Sequence, residues 1–168
     1  MDSNLSLTIG LKGQIDVQAQ AVPMQEGYLK LPGIAGGSGL LKFGVVVSAD
    51  PDDPDTFLAG LDSGDVVRGV CVFDDAIAQN AIAHPTGYLA GMPAAAINHG
   101  FFYLGKYGKT ATGATDPVIG CKVIFKDATG EIEFIPASGT DVPSNWTQLT
   151  SASVRAIDDA NGVLIYID

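Results

Sequence analysis

Polar and apolar residues alternate from the start of the chain. In "LSLTIGLKGQIDVQAQA", Leu5, Leu7, Ile9 and Leu11 share one parity, opposite Ser6, Thr8 and Gly10, and Ile15 and Val17 continue it beyond Gly13. Side chains repeat every two residues along a strand, so residues 5–17 predict one long extended segment with a single apolar face. A terminal segment of this kind either pairs with its own sheet or adds a strand to a neighbour.

Further on, "LPGIAGGSG" (31–39) predicts a glycine-rich loop, "LLKFGVVVSA" (40–49) a strand, and "DPDDPD" (50–55) an acidic loop broken by prolines. Residues 66–73 predict a buried strand: Val66, Val67, Val70 and Val72 supply packing, Cys71 fills a small space, and Asp74 and Asp75 end the strand in solvent. "DDAIAQNAIAH" predicts a single helical turn or an irregular stretch. The clearest hairpin lies in "DPVIGCKVIFKDATGEIEFIPA", where Thr129 and Gly130 turn the chain between Val123, Ile124, Phe125 and Ile132 to Phe134. A second one closes the chain, with strands at 153–157 and 163–167 around a turn at Asn161 and Gly162, a dipeptide favoured because both residues accept positive φ.

Short strands with turn signals between them and little helix predict an all-β fold. The expected architecture is a compact β-sandwich or jelly-roll-like domain, or a small β-barrel, over residues 21–168, preceded by an extended N-terminal arm over residues 1–20. The 168 residues suffice for one such domain with a proper core. Twenty-one glycines and a charged fraction of only 17% fit a turn-rich sheet protein rather than a disordered chain. Nine basic residues against nineteen acidic ones leave a net charge of −10, with no Lys/Arg cluster to neutralise phosphates, so neither nucleic acid nor an anionic membrane is an expected partner. The first residues carry no basic segment followed by a long apolar one, and no signal peptide or membrane span is expected.

Candidate chemistry is sparse. Cys71 and Cys121 sit fifty residues apart in apolar runs and read as small buried hydrophobes rather than as a disulfide or a nucleophile. His84 and His99, fifteen residues apart, stand before Pro85 and Gly100 as loop histidines and lack the neighbours of a zinc site. No cofactor is expected. Asp50, Asp52, Asp53 and Asp55 lack the ligand order of a calcium-binding hand and read as a solvated loop. The glycines at 31–39 match neither a P-loop nor a dinucleotide fingerprint, and "NWT" (145–147) matches a glycosylation sequon that has no meaning without a secretory signal. Arg68, the only base among eight aspartates between residues 50 and 75, is expected to pair with Asp62, Asp65, Asp74 or Asp75. The aromatic run "FFYLGKYG" (101–108) is expected mainly in the core, and Trp146 either caps the barrel or enters a subunit contact.

The order of four segments carries a resemblance. "DVVRGVCVFDD" after the charged loop "ADPDDPDTFLAGLDSG", then "HGFFYLG", then "TDPVIGCKVIFKDATGEIEF", then "DDANGVLIYID" resemble the successive strands of tailed-bacteriophage capsid cement (decoration) proteins, over about residues 40–168. The third segment departs from the family's G-D-x-V strand entry, with T-D-P-V at 115–118. The resemblance implies a non-enzymatic virion protein on the capsid exterior, made in the host bacterial cytoplasm. Its implied partner is the major capsid protein, and it would work as a homo-oligomer, a dimer or trimer. In that role Leu5, Leu7, Ile9, Leu11, Ile15, Val17 and Trp146 are the expected capsid or subunit contacts. A tail-tube or fibre protein is the alternative virion role with the same β-rich, low-charge profile.

Overall fold

The computed structural model describes residues 19–22, 29–74, 86–138, 141–158 and 162–168. Those residues form thirteen strands and no helix: β1 (Ala19–Val22), β2 (Leu29–Ala35), β3 (Leu40–Lys42), β4 (Val46–Ala49), β5 (Thr56–Ala59), β6 (Val66–Cys71), β7 (Gly87–Leu89), β8 (Pro93–Leu104), β9 (Lys122–Lys126), β10 (Ile132–Ile135), β11 (Trp146–Gln148), β12 (Ala152–Asp158) and β13 (Gly162–Ile167). The all-β expectation holds. The arm residues Leu5, Leu7, Ile9, Leu11, Ile15 and Val17 lie outside the described residues, as do His84, Asp75 and the turn at Asn161.

The long strand β8 organises the molecule. Its first half pairs with β2 on one edge and with β6 on the other, and the path β2-β5-β4-β6 returns to β8, so five strands close into a barrel. The ladders around this ring are antiparallel except between β2 and β5, which run parallel. Closure leaves no free edge among these five strands where they pair, the usual solution to edge-to-edge association in β proteins. The second half of β8 leaves the barrel and joins β13 on one edge and β1 on the other, with β12 outside β13. A three-stranded sheet, β10-β9-β11, and the β3-β7 pair complete the fold. The hairpin turn after β9 docks on the barrel: the Val46 amide donates to the Gly130 carbonyl at 2.8 Å, and the Leu61 amide to the Asp127 carbonyl at 2.8 Å.

One continuous apolar core runs through these sheets, with Phe57, Phe102, Phe125 and Phe134 fully buried. Phe43 meets the rings of Phe73 and Tyr88 edge-on, at 5.7 and 5.0 Å between centroids. The buried Tyr88 hydroxyl donates to the Val72 carbonyl at 2.9 Å and accepts from the Asp74 amide at 3.1 Å, which ties β7 to the end of β6 without leaving a polar group orphaned.

Several sequence expectations need correction. Residues 31–35 belong to strand β2 rather than to a loop; Gly33 is there because the Phe57 ring lies where a Cβ would sit, 2.5 Å away, and Pro32 tolerates the strand because β5 pairs only with Ile34 and Ala35. The predicted strand 40–49 is two strands: the Phe43 amide bonds to Thr86 and the Gly44 amide to Cys71, so the chain crosses from β7 to β6 at that point. In the 66–73 run Val70, Cys71, Val72 and Phe73 are all buried, but Val66 is 52% exposed, and Asp74 is buried beneath Tyr88 instead of facing solvent. His99 stands in the middle of β8, not in a loop; the glycine after it, with φ 115°, bends a strand rather than ending one. Both hairpins form as predicted, β9 with β10 and β12 with β13.

Candidate functional site

Along the second half of β8 the side chains alternate. Gly100, Phe102 and Leu104 are buried, while His99, Phe101 and Tyr103 are half-buried on the opposite face. Register brings Tyr166 of β13 beside Phe101 and Leu164 beside Tyr103. Tyr166 is the hub: its ring lies 4.8 Å from Phe101 and 5.9 Å from His99, centroid to centroid. The Arg155 guanidinium stands over the same ring at 5.2 Å. Arg155 reaches it because β12 carries a bulge there: Val154 pairs with Ile165 and Ala156 with Leu164, which leaves Arg155 as the extra residue, re-aimed by the local kink. Aromatic rings and arginine are the side chains most enriched in interface cores, since they bring large contact area with a polar handle and little entropy to lose. The aromatic run is thus only half core; strand alternation sends Phe101 and Tyr103 to the other face.

Trp146, the other expected contact, lies half-buried in β11, paired with Lys126 and packed on a small cluster of Ala111, Ile124 and Ile135. That cluster holds down residues 105–121, which connect β8 to β9. The sequence did not mark the residue that anchors this connection. Glu133, 1% exposed, accepts hydrogen bonds at 2.8 Å from the Thr110 amide, the Thr110 hydroxyl and the Ala111 amide. Its charge is consumed by fixed donors, so it acts as a structural clamp. Beyond the clamp Lys109 pairs with Asp116, and Val118 and Ile119 stand out at 54% and 72% exposure.

Among the described residues the candidates for chemistry do not form a metal-binding group. Cys71 and Cys121 are free thiols, and burial pushes both pKa values up, most strongly at Cys71, which disfavours the nucleophilic thiolate. Asp50, Asp52, Asp53 and Asp55 are all exposed, with the Asp52 amide turned back onto the Asp50 carboxylate. Among the described residues no three His, Cys, Asp or Glu side chains are placed to share a metal ion, and no helix is long and apolar enough to cross a membrane. Arg68 makes no ion pair with Asp62, Asp65 or Asp74, and Asp75, the fourth expected partner, lies outside the described residues; Asp65 accepts a hydrogen bond from the Ser48 hydroxyl. No family model matches the chain, and no curated protein matches it.

Proposed function

We propose that this chain is a non-enzymatic structural protein of a tailed-bacteriophage virion, which binds the outer surface of the capsid shell and bridges neighbouring copies of the major capsid protein. The observation that carries this reading is the aromatic and arginine face of β8, β12 and β13, displayed on a strand that runs directly into a closed barrel. Such a face is rigid before it binds, which lowers the entropy cost of ordering an interface. On a symmetric lattice even modest contacts multiply by avidity, and a dimer or trimer multiplies them again. The apolar-faced segment at residues 5–17 would add a second contact by pairing with a strand edge of a neighbour. The acidic loop at 50–55 faces solvent and keeps the decorated particle soluble.

Cosedimentation of the full chain with expanded capsids of a tailed phage, followed by the rupture temperature of the decorated capsids, tests this. Saturable binding and a higher rupture temperature are expected, with occupancy lost in a Phe101→Ala/Tyr166→Ala double variant and reduced when residues 1–13 are removed. Free protein that forms tubes or rings and ignores capsids would move the assignment to the tail.

A further inference from the structure

One row of ladder partners crosses β1, β8, β13 and β12 and is left open at its far end. Ala19 of β1 stands opposite Leu104, Leu104 opposite Val163, and Val163 opposite Ile157 of β12. Residues directly opposite in an antiparallel ladder share a face. Leu104 and Val163 are each 1% exposed, yet Ile157 on the same face is 51% exposed. Among the described residues no strand pairs with the other edge of β12. Near Ile157 the bulge residue Arg155 is exposed on the opposite face, its guanidinium over Tyr166 and without a carboxylate partner among the described residues.

Residues 5–17, outside the described residues, carry a pattern that matches this edge. From Leu5 to Ala21 the odd positions are apolar except for Gly13, and from Ser6 to Gln20 the even positions are polar or glycine. Odd positions of β1 share rows with the buried Leu104 and Phe102, so the apolar parity is in phase with the core rows. Asp16, the one acid between Ser3 and Gln18, stands between Ile15 and Val17. A strand added to β12 in this phase sets Asp16 beside Arg155, with Ile15 and Val17 next to Ile157 and Val154 whichever way it runs. Reach decides whose strand it is. The added strand lies four strand spacings from β1, about 19 Å. Only three residues lead from Ala19 back to Asp16, a span of about 11 Å at most. The molecule's own Asp16 therefore falls short of this edge.

From this we infer that residues 5–17 of a second copy of the chain dock on the free edge of β12, cover Ile157 and seat Asp16 on the Arg155 guanidinium. Strand addition supplies main-chain hydrogen bonds, and alternate side chains supply selectivity. The carboxylate–guanidinium pair fixes the register. A bulge discourages indiscriminate pairing along an edge, and this one also presents Arg155 to the incoming strand. Reciprocal exchange of arms closes a dimer, and onward exchange closes a ring. The exchange deepens the arm's part in the capsid reading but needs no capsid, so its failure leaves the aromatic face and capsid binding to be judged separately.

The test is sedimentation equilibrium of the full chain, without capsids. The parent is expected as a closed oligomer of fixed mass. Asp16→Arg and Arg155→Asp, each melting like the parent, should each weaken association about tenfold or more. The Asp16→Arg/Arg155→Asp double variant should recover it, because the pair is restored with its sign reversed. A second measurement mixes Ile157→Cys chains with Ile15→Cys chains, or with Val17→Cys chains, under mild oxidation. One of the two mixtures should form a disulfide joining the two kinds of chain, since the native thiols of Cys71 and Cys121 are buried. A monomeric parent, charge reversals without effect, a double variant no better than its parts, or no such disulfide in either mixture would each overturn the exchange. A cross-link that forms only when both cysteines share one chain would overturn it as well, and return the edge to the molecule's own arm.

Discussion

The two halves of β8 share one backbone and obey different rules. Ala94, Ala95, Ala96 and Ile97, between β2 and β6, are buried in succession, so both faces of the strand are covered. From Gly100 to Leu104, between β1 and β13, burial alternates and every second side chain is half open. Coverage of faces, not strand pairing, sets whether a strand reads as a continuous apolar run or as an alternation. Covered on both faces, the first half admits small residues and serves closure; the second keeps one aromatic face for contact. Asn98 and Gly100 mark the change, as an unpaired bulge residue and a glycine at φ 115°.

Substitutions should split along this line. The largest effect belongs to Phe102→Ala, which empties a fully buried site of the second half; a loss of about 3–5 kcal/mol in denaturant unfolding is expected. If the cost is no greater than that of Phe101→Ala, the two faces are not distinct. Ala96→Leu, in the first half opposite Leu31 and Cys71, should cost about 1–3 kcal/mol through overpacking; a neutral result would show that the barrel half has room.

Next in size is a pH effect at Cys71, Ala96's partner across the β6–β8 ladder. Burial raises its folded pKa above the ordinary 9.0. The thiol stays neutral when folded and ionises when unfolded, so its contribution is complete below pH 9 and declines as pH rises. The decline amounts to about 1 kcal/mol between pH 9 and 10. Comparing the parent with Cys71→Ala over that interval isolates it; parallel slopes would count against burial at this position. Smallest is Phe101→Ala itself, expected to change stability by less than about 1 kcal/mol, since its ring is half open and loses mainly the Tyr166 contact. A larger loss would place Phe101 in the core and weaken the interface it is assigned to.

Much of the fold was legible where the signals are local. The hairpin at 122–135 announced itself by apolar runs on either side of Thr129 and Gly130, and the closing hairpin by Asn161 and Gly162. Strand β2 was not legible, because Pro32 and Gly33 are loop residues by propensity and become strand residues only with the Phe57 ring above Gly33 and with β5 pairing no further back than Ile34. Of the candidate site, Phe101 and Tyr103 were visible as aromatics but not as a face. Arg68 was visible as a charge, but pairing with Asp62, Asp65 or Asp74 does not form, because the bulge takes its side chain out of the ladder's register. The glycines that follow Arg68 and His99 were the available sign of bulges.

The amino-acid sequence by itself determined the all-β class, both hairpins, the exposed acidic loop and the burial of both cysteines. Each of these follows from periodicity, turn chemistry or hydrophobicity acting within a few residues. Only the tertiary structure decided that β6 returns to β8 to close a barrel, that β2 and β5 run parallel, and that Arg68, Asn98 and Arg155 fall out of register. Those outcomes depend on which distant strands share an edge. A residue is left unpaired by the count of residues on both strands, and no single strand carries that count.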